Sequence, residues 1–131
     1  MMRVLVTGTF DHLHPGHMFL LQEAMKRGVL CVIVARDQNV LRIKGHTPAQ
    51  SEEERRRAIE ETFSDAHVVL GDPEDFLKPV LDIHPDLILL GYDQQLPPGV
   101  TEADLPCPTE RIGAFKPEKY KSSLQNNESM L

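Results

Sequence analysis

Short apolar runs recur along this chain, and longer polar or mixed segments separate them. The runs span residues 3–7, 29–35, 66–70 and 87–90 and are rich in β-branched side chains. Each run is continuously apolar instead of alternating with polar residues, which is typical of parallel strands buried on both faces. We therefore predict four strands at these positions and a weak last strand near residues 111–112.

The segment between the first two runs has the pattern of an amphipathic helix. Its apolar residues follow the i, i+3, i+4 spacing of one helix face over residues 15–27. Pro15 stands near the predicted start and Gly28 at the predicted stop, where each residue type is favoured. A strand, a helix and a second strand follow one another here, which predicts a βαβ unit.

Two further helices are predicted in the second half of the chain. Ser51 and Glu54 have the spacing of a capping box, so a helix is expected from this point to about Phe63. Residues 73–84 predict another helix, which Pro79 kinks or splits because proline removes a backbone hydrogen bond.

This alternation of strands and helices predicts an α/β fold with a Rossmann-like, doubly wound parallel sheet of about five strands. The 131 residues fit a single domain, 1–131, whose polar tail from about residue 117 is expected to fray. Ligands of such sheets bind beyond the carboxyl ends of the strands. The loops after the strands are therefore the places to search for function.

Composition and charge narrow the class of function. Apolar residues make up 40% of the chain and charged residues 26%, as in ordinary folded domains. A net charge of −6 argues against broad binding to nucleic acid or to anionic membranes, because both need clustered positive charge. A phosphate ligand would have to meet a local positive pocket.

Cysteine usage and hydropathy suggest where the protein resides. Cys31 and Cys107 have neither the partners nor the spacing of a zinc site or a disulfide framework. The chain also lacks an apolar stretch of the roughly 18 residues that a membrane span needs. We expect a reduced, cytoplasmic setting.

The first loop, residues 8–17, carries the most informative chemistry. It leads from the first strand into the first helix and delivers His14 and His17 to the helix opening, where free N–H groups favour an anion. Their spacing puts both imidazoles on nearly the same side, and Gly16 leaves room for phosphate oxygens. Taken alone, such a pair is more often a surface pair at a helix opening or half of a metal site.

The whole segment Gly-Thr-Phe-Asp-His-Leu-His-Pro-Gly-His resembles the His-x-Gly-His signature of the cytidylyltransferase-like superfamily. The resemblance extends over nearly the whole chain and includes residues 32–37, Lys44 in the loop predicted to follow them, and residues 54–56, 91–94 and 120–123. Among the branches of the superfamily, the chain is most similar to the archaeal FAD synthases and next to the glycerol-3-phosphate cytidylyltransferases. Residues 91–94 and 120–123 favour the former.

The resemblance implies roles for individual residues. It implies that Asp11 lies beside the acceptor or metal, although we rank an orienting role in the loop first. Asp93 is also compatible with simple turn capping, and Arg55 and Arg57 are expected to face solvent. The implied catalytic residues are His14, His17, Lys44 and Arg56, and the implied nucleotide-binding residues are Thr9, Phe10, His14, Pro15, Gly16, His17, Asp93, Tyr120, Ser122 and Ser123.

The implied reaction is transfer of AMP from ATP to FMN, which yields FAD and pyrophosphate. Mg²⁺ is expected to arrive with the nucleotide, without a metal site on the protein, and a homodimer is expected. CTP with glycerol 3-phosphate or a phosphosugar is the alternative pair of substrates. A catalytically silent nucleotide-binding module is the alternative of another class, since Leu124 replaces a lysine found in relatives.

Overall fold

The computed structural model describes residues 2–113 and contains a five-stranded, all-parallel sheet with helices on both faces. The predicted α/β, Rossmann-like sheet is confirmed. In chain order the elements are β1 Arg3–Gly8, α1 Pro15–Arg27, β2 Val29–Val34, α2 Asp37–Lys44, α3 Glu52–Thr62, β3 His67–Leu70, α4 Leu77–Ile83, β4 Leu87–Leu90, a 3₁₀ turn Glu102–Asp104 and β5 Thr109–Arg111.

Alternate residues of the strands point to opposite faces of the sheet, so the continuous apolar runs supply two cores. Val4, Val6 and Val32 pack against α1 and α3 on one face. Leu5 and Ile33 belong to the second core, which α4 covers on the other face. Burial on both sides explains why the strands show no polar alternation.

Strand order is β3-β2-β1-β4-β5, with β1 in the middle. The chain winds from β1 outward to β2 and β3, and then crosses back to β4 on the other side of β1. Such a reversal opens a crevice at the carboxyl end of the central strand. The loop that follows β1 therefore enters the natural binding place of the fold.

One helix was absent from the sequence-based prediction, which placed Lys44 in a loop. The structure forms α2 at Asp37–Lys44, and Lys44 is its last residue. Gly45 ends the helix in the left-handed conformation (φ 84°) and donates from its N–H to the Leu41 carbonyl. In the sequence, this glycine and the apolar pair Val40 and Ile43 at i, i+3 were the signals that could have predicted α2.

The predicted helix at residues 73–84 was too long. In the structure only Leu77–Ile83 is helical, because the Asp72 carboxylate accepts from the N–H groups of Glu74 and Asp75 and holds a turn there. Pro79 is the third residue of α4, where its missing N–H removes no helical hydrogen bond. No kink or split is needed.

The last predicted strand is confirmed as β5, shifted to Thr109–Arg111. Among residues 2–113, no helix is long and apolar enough to cross a membrane. The predicted tail from about residue 117 lies outside the described residues.

Candidate active site

The loop between β1 and α1 is held in a strained conformation by residues far along the chain. Phe10 and His12 have φ angles of 56° and 54°, a region that side-chain-bearing residues rarely adopt. Asp11 between them accepts from the N–H groups of Ala49 and Gln50, at 2.8 and 2.9 Å, and these bonds lower its pKa. The orienting role that we ranked first for Asp11 is thus confirmed.

His14 caps the helix that it opens. Its Nδ1 accepts from the N–H groups of Gly16 and His17, at 3.1 and 3.3 Å. Because a neutral imidazole has one acceptor and one donor nitrogen, this cap places the proton on Nε2. His14 is exposed, so its Nε2–H is available to a ligand.

The two histidines predicted to share one side do so. Their rings stack with centroids 3.6 Å apart and an interplanar angle of 20°. A Cβ on Gly16 would approach the His14 ring to 3.0 Å, so glycine at this position makes room for the capping imidazole. This role is additional to the room for phosphate that the sequence suggested.

His17 lies deeper than His14 and has a different environment. Phe10 contacts it edge-on, with ring centroids 5.3 Å apart. Burial, followed by the charge of His14, lowers the pKa of His17 from 6.5 to about 4. His17 is therefore neutral at pH 7, and its buried Nδ1 has no hydrogen-bond partner among the described residues. It would act on a phosphate as a hydrogen-bond donor and not as a cation.

Lys44 approaches this loop from the end of α2. Its Nζ lies 3.5 Å from the hydroxyl oxygen of Thr9, and the side chain is exposed. The structure therefore brings together Lys44, Thr9 and the two histidines, although they come from separate elements. Pro15, which was predicted to bind the nucleotide, is the first residue of α1 and has no N–H to donate. It does not line the cavity described below.

Arg56 was predicted to reach the phosphates, and the structure does not place it there. Its guanidinium pairs with Glu53 and Glu60 on the outer side of α3, and it does not line the cavity. The prediction that Arg55 faces solvent is wrong, because its exposed fraction is 0%. Only Arg57 is exposed as predicted.

Arg55 connects the carboxyl ends of two strands to the start of α3. It donates to the carbonyl oxygens of Thr9, Ala35 and Gln50, and to the Asp37 carboxylate at 2.6 Å. Four of its five N–H groups donate to these internal acceptors, and the side chain is fully buried, so Arg55 supports the strained loop and is out of reach of a ligand. The sequence contains three consecutive arginines and no local signal of which one turns inward.

The loop after β4 lies opposite the two histidines. The sequence-based prediction missed two residues that hold this loop in place, Gln94 and Arg111. Gln94 accepts from the Gly91 N–H and donates to the carbonyl and hydroxyl oxygens of Thr7, at 3.0 and 3.2 Å. Arg111 donates to the carbonyl oxygens of Gly91 and Gln94, each at 2.7 Å. These bonds position Asp93, which is exposed and lines the cavity as predicted.

A cavity of about 1030 Å³ lies between these walls. It is large enough for a nucleotide and its acceptor, since small-molecule sites commonly measure roughly 300–1,000 Å³. Of the predicted residues within 2–113, those that line it are Thr9, Phe10, His14, Gly16, His17, Lys44 and Asp93. Tyr120, Ser122 and Ser123 lie outside the described residues.

Comparisons with known proteins agree with this geometry. Residues 5–105 match the family model described as cytidylyltransferase-like. The chain is 41% identical to the FAD synthase of Aciduliprofundum boonei over 127 residues, which cover 96% of this chain and 85% of that protein. It is 50% identical to the FAD synthase of Ferroglobus placidus over 95 residues, 72% of this chain and 61% of the relative.

A solved structure has the same fold. The lipopolysaccharide core biosynthesis protein of Thermoplasma volcanium superimposes with a TM-score of 0.76 and 36% sequence identity. The superposition covers 88% of this chain and 99% of that protein.

Proposed function

This chain belongs to the cytidylyltransferase-like family, in the group of the FAD synthases, and on that premise we propose that it transfers AMP from ATP to FMN. A phosphate oxygen of FMN attacks the α-phosphorus of ATP, a new P–O–P linkage forms, and the bond between the α-phosphorus and the bridging oxygen breaks. The electron pair leaves with pyrophosphate. FAD is the second product.

The stacked His14–His17 pair at the helix opening is the observation that carries this proposal. The proton on His14 Nε2 faces outward from the cap, and His17 is neutral at pH 7. The imidazole N–H donors and the N-terminal end of a helix can bind phosphate oxygens as negative charge shifts to the leaving group. Donors held in place before the reaction need no reorganisation during it.

Lys44 supplies the positive charge that an acidic protein needs at a phosphate site. Its contact with Thr9 places the ammonium group at the rim of the same cavity. The FMN phosphate is already ionised at neutral pH, so the reaction requires no general base. Catalysis then consists of positioning and charge stabilisation.

We further propose that magnesium enters as MgATP, held by oxygens of the triphosphate. Mg²⁺ commonly binds substrate phosphates together with few protein ligands. Among residues 2–113, no group of three or more His, Cys, Asp or Glu side chains is arranged to hold a metal ion. The roles assigned to His14 and His17 use side chains of a single chain, so they do not depend on the predicted homodimer.

A matrix of substrates tests the proposal. ATP and CTP are each combined with FMN, glycerol 3-phosphate and a phosphosugar in the presence of Mg²⁺, and pyrophosphate release is measured. We expect release and FAD formation from ATP with FMN. CDP-glycerol as the main product would establish the cytidylyltransferase instead, and a protein that binds ATP without releasing pyrophosphate in any combination would be a binding module.

A further inference from the structure

A second cavity, of about 420 Å³, lies over the carboxyl ends of β1, β2 and β3. Much of its wall is apolar and includes Ile33, Phe76, Leu96 and Val100. Sites for small molecules combine such walls with a volume of roughly 300–1,000 Å³, so this cavity is large enough for a compact ring system. The phosphate chemistry proposed above makes no use of it.

The charges of the second cavity differ from those of the larger one. Among the described residues of its lining, Arg42 is the one cation, whereas Asp72, Glu74 and Asp75 carry carboxylates. The Asp72 carboxylate accepts from the N–H groups of Glu74 and Asp75, and the Asp75 carboxylate accepts from the Leu77 N–H. A lining with net negative charge opposes the entry of a phosphate. The second cavity therefore suits an uncharged part of a substrate.

The two cavities meet, so two substrates can approach one phosphorus atom from different directions. Residues 7–9 and 94–98 line both cavities. The attacking and leaving oxygens of a phosphoryl transfer stand roughly in line, which puts the acceptor and the leaving group on opposite sides of the reacting phosphorus. Lys44, His14 and His17, which would hold the leaving pyrophosphate, line the larger cavity and not the second. The acceptor would therefore extend from the junction into the second cavity.

FMN has the shape that this path requires. Its phosphate is at one end of a ribityl chain, and a flat, uncharged tricyclic ring is at the other end. Glycerol 3-phosphate has no apolar group that could fill the second cavity. Asp93, which the resemblance assigns to the nucleotide, lines the larger cavity and not the second. This arrangement leaves the larger cavity to ATP and the phosphate of the acceptor.

We propose that the second cavity binds the isoalloxazine ring of FMN and thereby selects the acceptor. This inference rests on the proposed function, since it locates the ring of the proposed acceptor. Phe76 is the one aromatic side chain among the described residues of the lining, and an aromatic ring packs well against another flat ring. Removing the flavin ring from water stabilises bound FMN, and glycerol 3-phosphate gains nothing comparable.

Val100→Phe tests this site, because Val100 lines the second cavity, does not line the larger one and belongs to neither core. The larger side chain takes space that the ring needs, so we expect KM for FMN to rise about 10- to 100-fold. Ribitol 5-phosphate has the chain and phosphate of FMN without the ring. Its inhibition constant and the KM for ATP should both stay within about twofold of the wild-type values.

Leu81→Phe is the matched control, because Leu81 is exposed on α4 and lines neither cavity. It should behave as the wild type toward FMN, ATP and ribitol 5-phosphate. An unchanged KM for FMN in a folded Val100→Phe variant would overturn the inference. A rise in the KM for ATP alone would place the adenine in the second cavity and would overturn it as well.

NMR spectroscopy of the wild-type protein with FMN makes the test independent of how the variant folds. We expect nuclear Overhauser contacts between the methyl groups of the flavin ring and those of Val100. Ring contacts to Tyr92 alone, which lines the larger cavity and not the second, would contradict the inference. If the contacts to Val100 were present and ATP with FMN still gave no FAD, the proposed function would fail while the ring site remained.

Discussion

Two helices of this protein begin beside the loop between β1 and α1, and their first turns differ in charge. At α1 the cap is His14, and none of the first-turn residues, 15–18, is acidic. At α3 the cap is Ser51 in a complete capping box, followed by three consecutive glutamates at 52–54. Both ends therefore have their backbone N–H groups partly satisfied, but only one of them is free of negative charge.

The difference illustrates that a helix N-terminus can attract an anion only when its own first turn lacks negative charge. The carboxylates of α3 already interact favourably with its dipole and would repel a phosphate. Beyond this closed end, Arg55 is surrounded by internal acceptors, whereas His17 keeps an unpartnered nitrogen. The polar groups at the start of α3 are used to build the scaffold, whereas the start of α1 carries the exposed side chain of His14.

The largest expected effect distinguishes Arg55 from Arg56, two of the three arginines of α3. Arg55→Ala would leave the Asp37 carboxylate and three carbonyls without their donor, so we expect a loss of about 3–5 kcal/mol in the free energy of unfolding. Arg56→Ala, the matched control, removes only solvent-accessible ion pairs and should change stability and turnover little. Urea denaturation and pyrophosphate release measure both. A stable Arg56→Ala variant that had lost turnover would restore the role that the sequence suggested.

The next effect concerns the start of α1. His17→Ala should lower kcat by about 10²–10³-fold, because one preorganised donor to the phosphates is lost. Thermal unfolding should remain cooperative, since His17 lies at the cavity and outside the two cores. Unchanged turnover in a folded variant would remove the central assignment.

The low pKa of His17 predicts a pH dependence of stability. The unfolded chain binds a proton at this residue near pH 6.5, whereas the native state binds it only near pH 4. Stability is therefore unaffected by His17 above about pH 6.5 and falls as the pH drops toward 4. Denaturation at about pH 7 and about pH 4.5 should show a smaller loss in His17→Asn than in the wild type. Equal losses would mean that His17 titrates normally in the native state.

The smallest effect concerns the N-cap of α3. Ser51→Ala removes the acceptor for the Glu54 N–H and should cost about 1 kcal/mol of stability. Ser51 does not line either cavity, so kcat and KM should stay at their wild-type values. A rise in KM for ATP would show that this end of α3 also takes part in nucleotide binding.

Much of the fold could be predicted because its signals are local. The apolar runs marked β1 to β4 within a residue or so, and the capping box marked the start of α3. The missed α2 has only eight residues, and its amphipathic pattern is too short to stand out beside a polar stretch. The helix predicted at residues 73–84 was longer than α4 because the segment has a helical composition, but the Asp72 carboxylate competes locally for its first N–H groups.

The sequence by itself determined the parallel sheet and the His14–His17 pair at a helix opening, since spacing along one strand and one helical turn sets both. Tertiary structure decided which arginine is buried and how Gln94 and Arg111 hold the wall opposite the histidines. Those outcomes depend on which carbonyls from distant strands converge on a side chain. That convergence exists only after the sheet has formed, so no local pattern records it.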